Sequence, residues 1–453
     1  MNTDVVICGA GIAGIAVAYQ LAVVEGQQNI LLIDEGSPLA LTSDKSTECY
    51  RNWWPGPDAN MTALSNRSID LMESFAEQTQ NGIQMDRRGY LFLSAQAERS
   101  NEFETTARAA ASVGAGPMRS HHGQANHYQP PRLGQFKDQP TGSDVFHGTE
   151  SILRHFPYLN PNTSAALHTR RCGALSAQQL GMLMLEQARL KGLKFLRGRV
   201  TAVNTTGGRV QGVTVESEGR SDTIHCPTFI NAAGPYLNAV AQLMEIELPV
   251  VCERHIKLTF SDRQAVLPRD APLLLWTDPT PLPWNSEERE LLAEDPEMEP
   301  MLQPLPAGVH GRSVGAGDSV MLYWTYDCPV EPPHFPLQPD PQFQEILIRG
   351  MSVMIPGLEC YFQHLPKAFM DGGYYTKTPD NCPLIGQLPV EGAWVAGAYS
   401  GFGIMIAMAA GELIAAQIYD RSLPRYAQAF TLDRFSPSIN KNATTSDAFS
   451  GQL

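Results

Sequence analysis

A glycine-rich segment at residues 4–34, DVVICGAGIAGIAVAYQLAVVEGQQNILLID, limits the possible folds of this chain more than any other part of its sequence. A short run of Val and Ile precedes Gly9, Gly11 and Gly14, which have the spacing G-x-G-x-x-G, so the segment predicts strand, turn, helix and second strand. These glycines allow a tight turn, the approach of a pyrophosphate and close packing of the helix on the sheet. Asp34 ends the second strand, where a carboxylate meets ribose hydroxyls. The segment therefore predicts a dinucleotide site.

Two later segments are typical of the same kind of site. TFINAAG, at 228–234, predicts a buried strand that joins the nucleotide sheet, because its small last residues suit close approach of a cofactor. A second glycine turn, SGFG at 400–403, lies between a predicted strand at 393–399 and a predicted helix at 404–419. A helix that begins on glycines offers free N–H groups to an anion or a carbonyl. At this point NAD and FAD both remain open.

The composition is that of an ordinary globular protein of 453 residues, long enough for more than one domain, with 43% hydrophobic and 18% charged residues. Its net charge of -14 repels phosphates, so we expect no nucleic acid partner. The amino end lacks the basic segment of a secretory signal, and the apolar stretch 401–418 is interrupted by Gly403, Gly411 and Glu412. We therefore expect a cytoplasmic protein without a membrane span.

The eight cysteines and eleven histidines show no spacing typical of a metal site. The cysteines form no C-x-x-C pair, and the histidines form no H-x-x-x-H pair. We therefore expect free thiols in a reducing compartment and no bound metal.

Between the two glycine turns the sequence predicts a mixture of helices and strands. The predicted helices cover 61–78, 101–113, 177–191 and 343–355, and strands are expected at 88–94, 193–196, 199–204 and through most of 249–326. Segments rich in Gly and Pro predict a long loop or lid at 117–148, an exposed insertion at 279–317 and a loop from residue 371.

Three groups of segments carry a family resemblance: GAGIAGIAVAYQLA with IDEGSP, NAAGPYLNAVA, and DGGYYTKTPDNCPLIG with GAYSGFGIMIAMAAGELIA. Together they resemble the D-amino-acid-oxidase-like FAD oxidoreductases, which include glycine oxidase, sarcosine oxidase and dimethylglycine dehydrogenase. The resemblance covers nearly the full length and implies FAD rather than NAD. It implies an α/β plus α+β fold, in which a discontinuous Rossmann-like FAD-binding domain is joined to an antiparallel-sheet substrate domain. The implied domains are 1–85, 172–240 and 366–433 for FAD, and 86–171 and 241–365 for substrate, with a mobile tail at 434–453.

The resemblance also implies which residues bind FAD. The first turn and the acids after the second strand should bind adenosine and pyrophosphate, and the second turn should hold the pyrimidine edge of the flavin. The implied residues are Gly9, Gly11, Ile12, Ala13, Gly14, Asp34, Glu35, Ser43, Ser46, Thr47, Val200, Ala232, Ala233, Gly234, Gly397, Gly401, Phe402, Gly403, Ile404 and Met405.

The sequence departs from the family pattern at several positions around the flavin. Gly373 aligns with a Cys that attaches FAD covalently in some members, so we expect non-covalent FAD. Tyr375 and Met405 align with cations that bind substrate carboxylates, and Met321 aligns with a Lys that assists the reaction with oxygen. A buried carboxylate without a partner is costly. Either Arg51 holds a substrate carboxylate, or the substrate lacks a simple amino acid head.

The expected reaction is transfer of a hydride from the C–H bond next to nitrogen to flavin N5, which gives an imine that water hydrolyses. The electron acceptor is then O2, or a quinone or carrier protein. Two alternatives remain: oxidation of a 2-hydroxy acid, and a flavin-bound assembly factor with little catalysis. The candidate pocket residues are Arg51, His255, Tyr323, Tyr374, Tyr375 and Tyr399.

Overall fold

The structure is a computed structural model, and it describes residues 2–123 and 127–436. The strands, in chain order, are β1 (Val5–Cys8), β2 (Ile30–Asp34), β3 (Cys49–Arg51), β4 (Tyr90–Ser94), β5 (Met118–His122), β6 (Ser143–His147), β7 (Ala165–Thr169), β8 (Cys172–Ala174), β9 (Lys194–Arg197), β10 (Arg199–Thr206), β11 (Arg209–Ser217), β12 (Arg220–His225), β13 (Thr228–Asn231), β14 (Val251–Ser261), β15 (Leu273–Trp276), β16 (His310–Ser313), β17 (Ser319–Tyr323), β18 (Ala368–Lys377), β19 (Leu384–Gln387) and β20 (Ala393–Gly397). The α-helices are α1 (Ile12–Tyr19), α2 (Asn60–Gln78), α3 (Arg99–Ser112), α4 (Thr149–Leu153), α5 (Ala177–Leu190), α6 (Leu237–Gln242), α7 (Ser286–Glu294), α8 (Phe343–Met354) and α9 (Gly403–Ile418).

A six-stranded sheet in the order β19-β20-β13-β1-β2-β9 carries the first glycine turn. Its strands are parallel except β19, so the carboxyl ends of β1, β2, β13 and β20 lie at one edge. Val5 and Ile7 pack against the helices α1, α5 and α9, whereas Val6 and Cys8 pack against the small sheet β10-β11-β12 and α6. The predicted strand, turn, helix and strand are confirmed, and β13 joins this sheet as predicted.

A nine-stranded sheet in the order β18-β14-β17-β16-β15-β4-β7-β6-β5 forms the second large layer. Most of its neighbours are antiparallel, with parallel pairs at β15-β4 and β5-β6. Helix α8 covers one face through Leu347 and Met351, which lie in the same core as Trp324, and Phe103 of α3 lies in a second core with β4 and β7. The fold class expected from the sequence, a Rossmann-like part with a second sheet domain, is confirmed.

Two segments predicted as loops contain strands. The predicted loop 117–148 contains β5 and β6, and the predicted loop after residue 371 begins within β18, which pairs with β14 over ten residues. The glycines of β18 suggested a loop, but Gly372 allows β18 to lie close to β14. A Cβ on Gly372 would stand 2.1 Å from the carbonyl oxygen of His255. Strand β18 thus belongs to the nine-stranded sheet, although our division assigns 366–433 to the FAD-binding part. The other domain bounds stay predictions.

The expected insertion and tail also contain ordered structure. Within 279–317, β16 is buried in the nine-stranded sheet, so only part of that segment lies outside the layers. After residue 433, Arg434 forms an ion pair with Asp380 at 2.7 Å and lies in a short 3-10 helix. The mobility expected from residue 434 stays a prediction. The remainder of the expected tail, 437–453, lies outside the described residues.

Among the described residues, no helix combines the length and apolar character that crossing a lipid bilayer requires. All eight cysteines lie in the described part of the chain, and none is in a disulfide. Burial raises the pKa of Cys172 to about 11, so this thiol stays protonated and unreactive at neutral pH.

Candidate active site

The first glycine turn has no room for a side chain at Gly9 or Gly14. Gly9 has φ +109°, and a Cβ there would stand 2.3 Å from the carbonyl oxygen of Ala232. A Cβ on Gly14 would stand 1.9 Å from the carbonyl oxygen of Gly9. Gly11 is the N-cap of α1, with the free N–H groups of the first helical turn beside it. The turn therefore has the geometry that a diphosphate requires at a helix N-terminus.

A cavity of about 760 Å³ lies along the carboxyl ends of β1, β2 and β13. Asp34 and Val200 both line it, as predicted. The Asp34 carboxylate accepts hydrogen bonds from the backbone N–H groups of Ala10 at 2.7 Å and Gly36 at 2.8 Å. Asp34 thus fixes the loops on both sides of the cavity, and its contact with a ribose stays a prediction.

A second cavity continues from the first turn to the second. The two cavities share Gly11, Ser43 and Gly234, and Ser43 Oγ accepts a hydrogen bond from the N–H of Ile12 at 2.9 Å. Ser400 is 1% exposed, and its Oγ has no hydrogen-bond partner among the described residues; the same is true of the Tyr399 hydroxyl. Buried polar atoms are rarely left without partners, so these two fit a site that is completed by a ligand.

A third cavity adjoins the second at Ser46, Tyr375 and Gly401. It contains the predicted Arg51, His255, Tyr323 and Tyr375, together with residues that the sequence analysis did not identify, namely Glu48, Cys49, Tyr90, His310 and Thr325. Every residue predicted to bind FAD lines one of the three cavities, except Gly14, which lies behind the turn. The cavities form one track from the first glycine turn to an aromatic pocket.

Rings form the wall of this aromatic pocket. The rings of His255 and Tyr375 stack with centroids 3.9 Å apart, and Tyr323 lies parallel to His255 at 5.8 Å. His255 Nε2 donates to the Glu253 carboxylate at 2.7 Å, and Cys328 Sγ lies 3.4 Å from its Nδ1. Burial lowers the pKa of His255 and raises the pKa of Tyr375 to about 12. Both rings are therefore neutral at pH 7.

Arg51 brings a positive charge to the aromatic pocket. It ends β3, which pairs with β8, and it is 4% exposed. Its guanidinium carbon lies 4.7 Å from the ring centroid of Trp54 and 5.8 Å from that of Phe402. Burial lowers the pKa of Arg51, but a guanidinium keeps its proton at neutral pH. Stacking uses the faces of the guanidinium, whereas a carboxylate binds along its edge.

Tyr374 is absent from the lining of the aromatic pocket but lines the second cavity, so its role at the site stays a prediction. Alternation along β18 turns its side chain away from that of Tyr375. The Tyr374 hydroxyl donates to the Glu331 carboxylate at 2.9 Å, and its ring meets Phe335 edge-to-face. The predicted Tyr399 lines the second cavity.

The sequence analysis also missed a buried lysine. Lys257, two residues after His255 on β14, donates from Nζ to the carbonyl oxygens of Asp44 at 3.0 Å and Ser46 at 3.3 Å. Its Nζ lies 3.6 Å from the Asp371 carboxylate. The signal was the period-two spacing of Lys257 from His255 in a predicted strand, which places both side chains on one face. Lys257 thus fixes the loop that lines the track of cavities.

Comparisons with known proteins agree with this geometry. The family model described as FAD dependent oxidoreductase (DAO) matches residues 4–417. L-proline dehydrogenase from P. horikoshii superposes with a TM-score of 0.73 at 17% identity, covering 96% of this chain and 98% of that one. Glycine oxidase from Geobacillus kaustophilus gives a TM-score of 0.72 at 15% identity, covering 96% and 99%.

One curated relative shares a shorter region. The tRNA 5-methylaminomethyl-2-thiouridine biosynthesis bifunctional protein MnmC of Delftia acidovorans is 27% identical over 150 residues, which are 29% of this chain. The match spans only 23% of the length of that protein. The family match, in contrast, extends over most of the chain and includes both glycine turns. The chain belongs to the DAO family of FAD-dependent oxidoreductases, and FAD is its cofactor.

Proposed function

We propose that the protein oxidises the C–H bond next to nitrogen in an amino acid or a related amine that carries a carboxylate. The product is an imine, which water hydrolyses. The observation that carries this proposal is the buried Arg51 in an aromatic pocket that is continuous with the track of cavities. Similarity to the folds of a proline dehydrogenase and a glycine oxidase supports an amine substrate.

The track supports non-covalent FAD with its diphosphate at Gly11 and its ring system between the second and third cavities. Ser43 and Ser46 lie along this path, and Ser400 offers its buried hydroxyl where the cavities meet. A Cβ on Gly373 would stand 2.9 Å from Cα of Thr42, so a larger residue does not fit there without movement of the loop. This crowding supports the proposal that FAD is not attached covalently at this position.

When bound, FAD supplies the acceptor for a hydride from the substrate. The protein's part is to bind, orient and exclude water. The edge of Arg51 binds the substrate carboxylate, and the rings of His255, Tyr323 and Tyr375 exclude water around the reacting carbon. These rings carry no charge, and the one carboxylate among the lining residues described, that of Glu48, forms an ion pair with Arg312 at 3.1 Å. This arrangement favours binding of the neutral amine over that of an ammonium group. His255 keeps its Nε2–H directed at Glu253, so it acts as an oriented wall rather than as a base.

Anaerobic reduction of the bound flavin tests this proposal. The flavin of the purified holoprotein should bleach with carboxylated amines such as proline, glycine or N-methylglycine. Amines without a carboxylate should bleach it only at higher concentrations. In Arg51→Met, half-reduction by the carboxylated substrate should require at least about 100-fold more substrate, because a charge-assisted bidentate pair is lost.

The matched control is Arg189→Met, because Arg189 also lies over an aromatic ring, that of Phe195 at 5.8 Å, but lines none of the three cavities. It should leave the substrate dependence unchanged. Bleaching by 2-hydroxy acids alone would replace the proposal with the hydroxy acid alternative. A flavin that no member of the panel reduces would favour the assembly factor. The rates at which O2 and a quinone reoxidise the reduced flavin identify the electron acceptor.

A further inference from the structure

Three potential metal ligands converge on the face of the nine-stranded sheet that α3 covers. They are Glu104 of α3, His122 of β5 and His147 of β6, and their ligand atoms all lie within 4.8 Å of one another. His122 and His147 are register partners on neighbouring parallel strands, and their rings stack with centroids 4.1 Å apart. None of the three lines the cofactor track or the aromatic pocket.

The three ligand atoms are directed at one point. Ser120 Oγ lies 3.1 Å from Nε2 of His122, 3.1 Å from Nε2 of His147 and 2.6 Å from Oε1 of Glu104. Ser120 is two residues before His122 on the same strand, so alternation places both side chains on one face. Rotation about one side-chain bond moves this hydroxyl aside or leaves it as a further ligand.

The charges at this point suit a divalent cation. The carboxylate of Glu104 is the acidic group at this point, and its Oε1 lies 3.1 Å from Nε2 of His147. Arg108 binds the other carboxylate oxygen, Oε2, at 3.1 Å, and leaves Oε1 directed at the histidines. Two imidazoles and one carboxylate form a ligand set that zinc accepts, with a fourth position for water or a hydroxyl.

We propose that Glu104, His122 and His147 form a zinc-binding site that ties α3 to the edge strands β5 and β6. Strand β5 is the last strand of its sheet, and a bound ion would fasten this edge to the helix that covers it. The ligands sit on a helix and two strands rather than on loops, so little ordering is needed when the ion binds.

Equilibrium dialysis of the metal-free, FAD-loaded full chain against Zn²⁺ tests the site. One zinc should be retained per chain at pH 7.5, and its addition should raise the unfolding temperature. His122→Ala and His147→Ala should each weaken zinc binding by about 100-fold or more, because loss of even an outer partner of a metal site costs 10–100-fold. Flavin absorbance reports that each variant is folded, and His122→Gln provides a more conservative replacement.

Two controls make the result specific. His225→Ala removes an exposed histidine on β12 and should retain the zinc. Cys328→Ser disrupts the other group with suitable spacing, Glu253, His255 and Cys328, and should also retain it. Equal zinc binding by the unmodified chain and His122→Ala would overturn the proposal. So would loss of the zinc in Cys328→Ser alone, or no retained zinc at all.

Discussion

The ring of Tyr375 lies directly against the α-carbon of Gly401. A Cβ on Gly401 would stand 2.6 Å from Cε2 and 2.7 Å from Cδ2 of that ring. This contact joins β18 of the nine-stranded sheet to the second glycine turn, at the place where the second and third cavities meet. The aromatic wall of the pocket is therefore positioned by a glycine of the second turn.

We expect Gly401→Ala to displace Tyr375 and to lower FAD retention. Gly401 has φ +86°, so the alanine adds left-handed backbone strain of about 1–2 kcal/mol and a steric clash of about 1–3 kcal/mol. Flavin content and urea unfolding measure the two effects. Gly207→Ala is the matched control, because Gly207 has φ +59° and no atom within 4 Å of the added Cβ. Equal stability and flavin content of both variants would show that the ring contact contributes nothing.

Gly11→Ala and Gly14→Ala should separate cofactor binding from folding. The Cβ added at Gly11 would meet only Ser43 Oγ at 3.2 Å, so the chain should fold with circular dichroism like that of the unmodified protein. FAD should nevertheless bind at least about tenfold more weakly, because the methyl group blocks the approach of the diphosphate. Gly14→Ala would drive Cβ to 1.9 Å from the Gly9 carbonyl oxygen and should prevent soluble folding. Unchanged FAD affinity in Gly11→Ala would contradict the placement of the diphosphate.

Lys257→Met should loosen the loop beneath the cofactor track. The methionine keeps the length of the side chain but leaves the carbonyl oxygens of Asp44 and Ser46 without their donor, at a cost of about 1–3 kcal/mol for each buried group. Proteolytic sensitivity of residues 42–48 and the rate of flavin release should both rise. Lys194→Met, which changes an exposed lysine on β9, should alter neither. If Lys257→Met behaves in the same way as Lys194→Met, this lysine does not hold the loop.

His168 should make the protein less stable in acid. Burial, more than any other influence, lowers the pKa of His168 to about 3, and the ring accepts from the Tyr128 hydroxyl at 2.9 Å and donates to the Arg88 carbonyl at 2.8 Å. Between pH 3 and its ordinary value of 6.5, the unfolded chain therefore binds a proton that the folded chain does not. The free energy of unfolding should therefore fall by about 1.4 kcal/mol for each pH unit as the pH drops below 6.5.

Urea unfolding at pH 7, 6 and 5 measures this slope. His168→Gln should reduce the slope by about 1.4 kcal/mol per pH unit, even though it lowers stability at pH 7. His225→Gln, at an exposed position, is the control and should leave the slope as it is. A slope that is the same in His168→Gln and the unmodified protein would mean that another group causes the acid sensitivity.

The parts of the fold that were predicted from sequence depend on local patterns. The strand before Gly9, the turn and α1 follow one another within a few residues, and each requires its own residue types. The helix predicted at 177–191 is α5, which the Ser176 side chain caps by accepting from the N–H of Gln179 at 3.3 Å. The family resemblance then placed the more distant residues around FAD.

The parts that were missed depend on pairing between distant segments. Strands β5 and β6 pair with each other, but the Gly- and Pro-rich composition of 117–148 led to the prediction of one long loop. The histidine spacing led to the expectation of no bound metal, whereas our zinc proposal rests on Glu104, His122 and His147, which belong to three elements that meet only in the folded sheet. Strand β18 was missed because its glycines suggest a loop until the carbonyl of His255 is seen beside Gly372.

Strand β13 lies between β1 and β20, so the sheet that carries the two glycine turns is complete only when β20 has joined it. The two turns come from nearly opposite ends of the sequence, so during translation the first turn leaves the ribosome long before the second. The nascent chain cannot enclose the whole flavin until β20 and α9 have emerged. Capture of FAD should therefore follow synthesis of these last elements, and a stalled chain that ends before β20 should expose the unpaired edge of β13 to aggregation or to a chaperone.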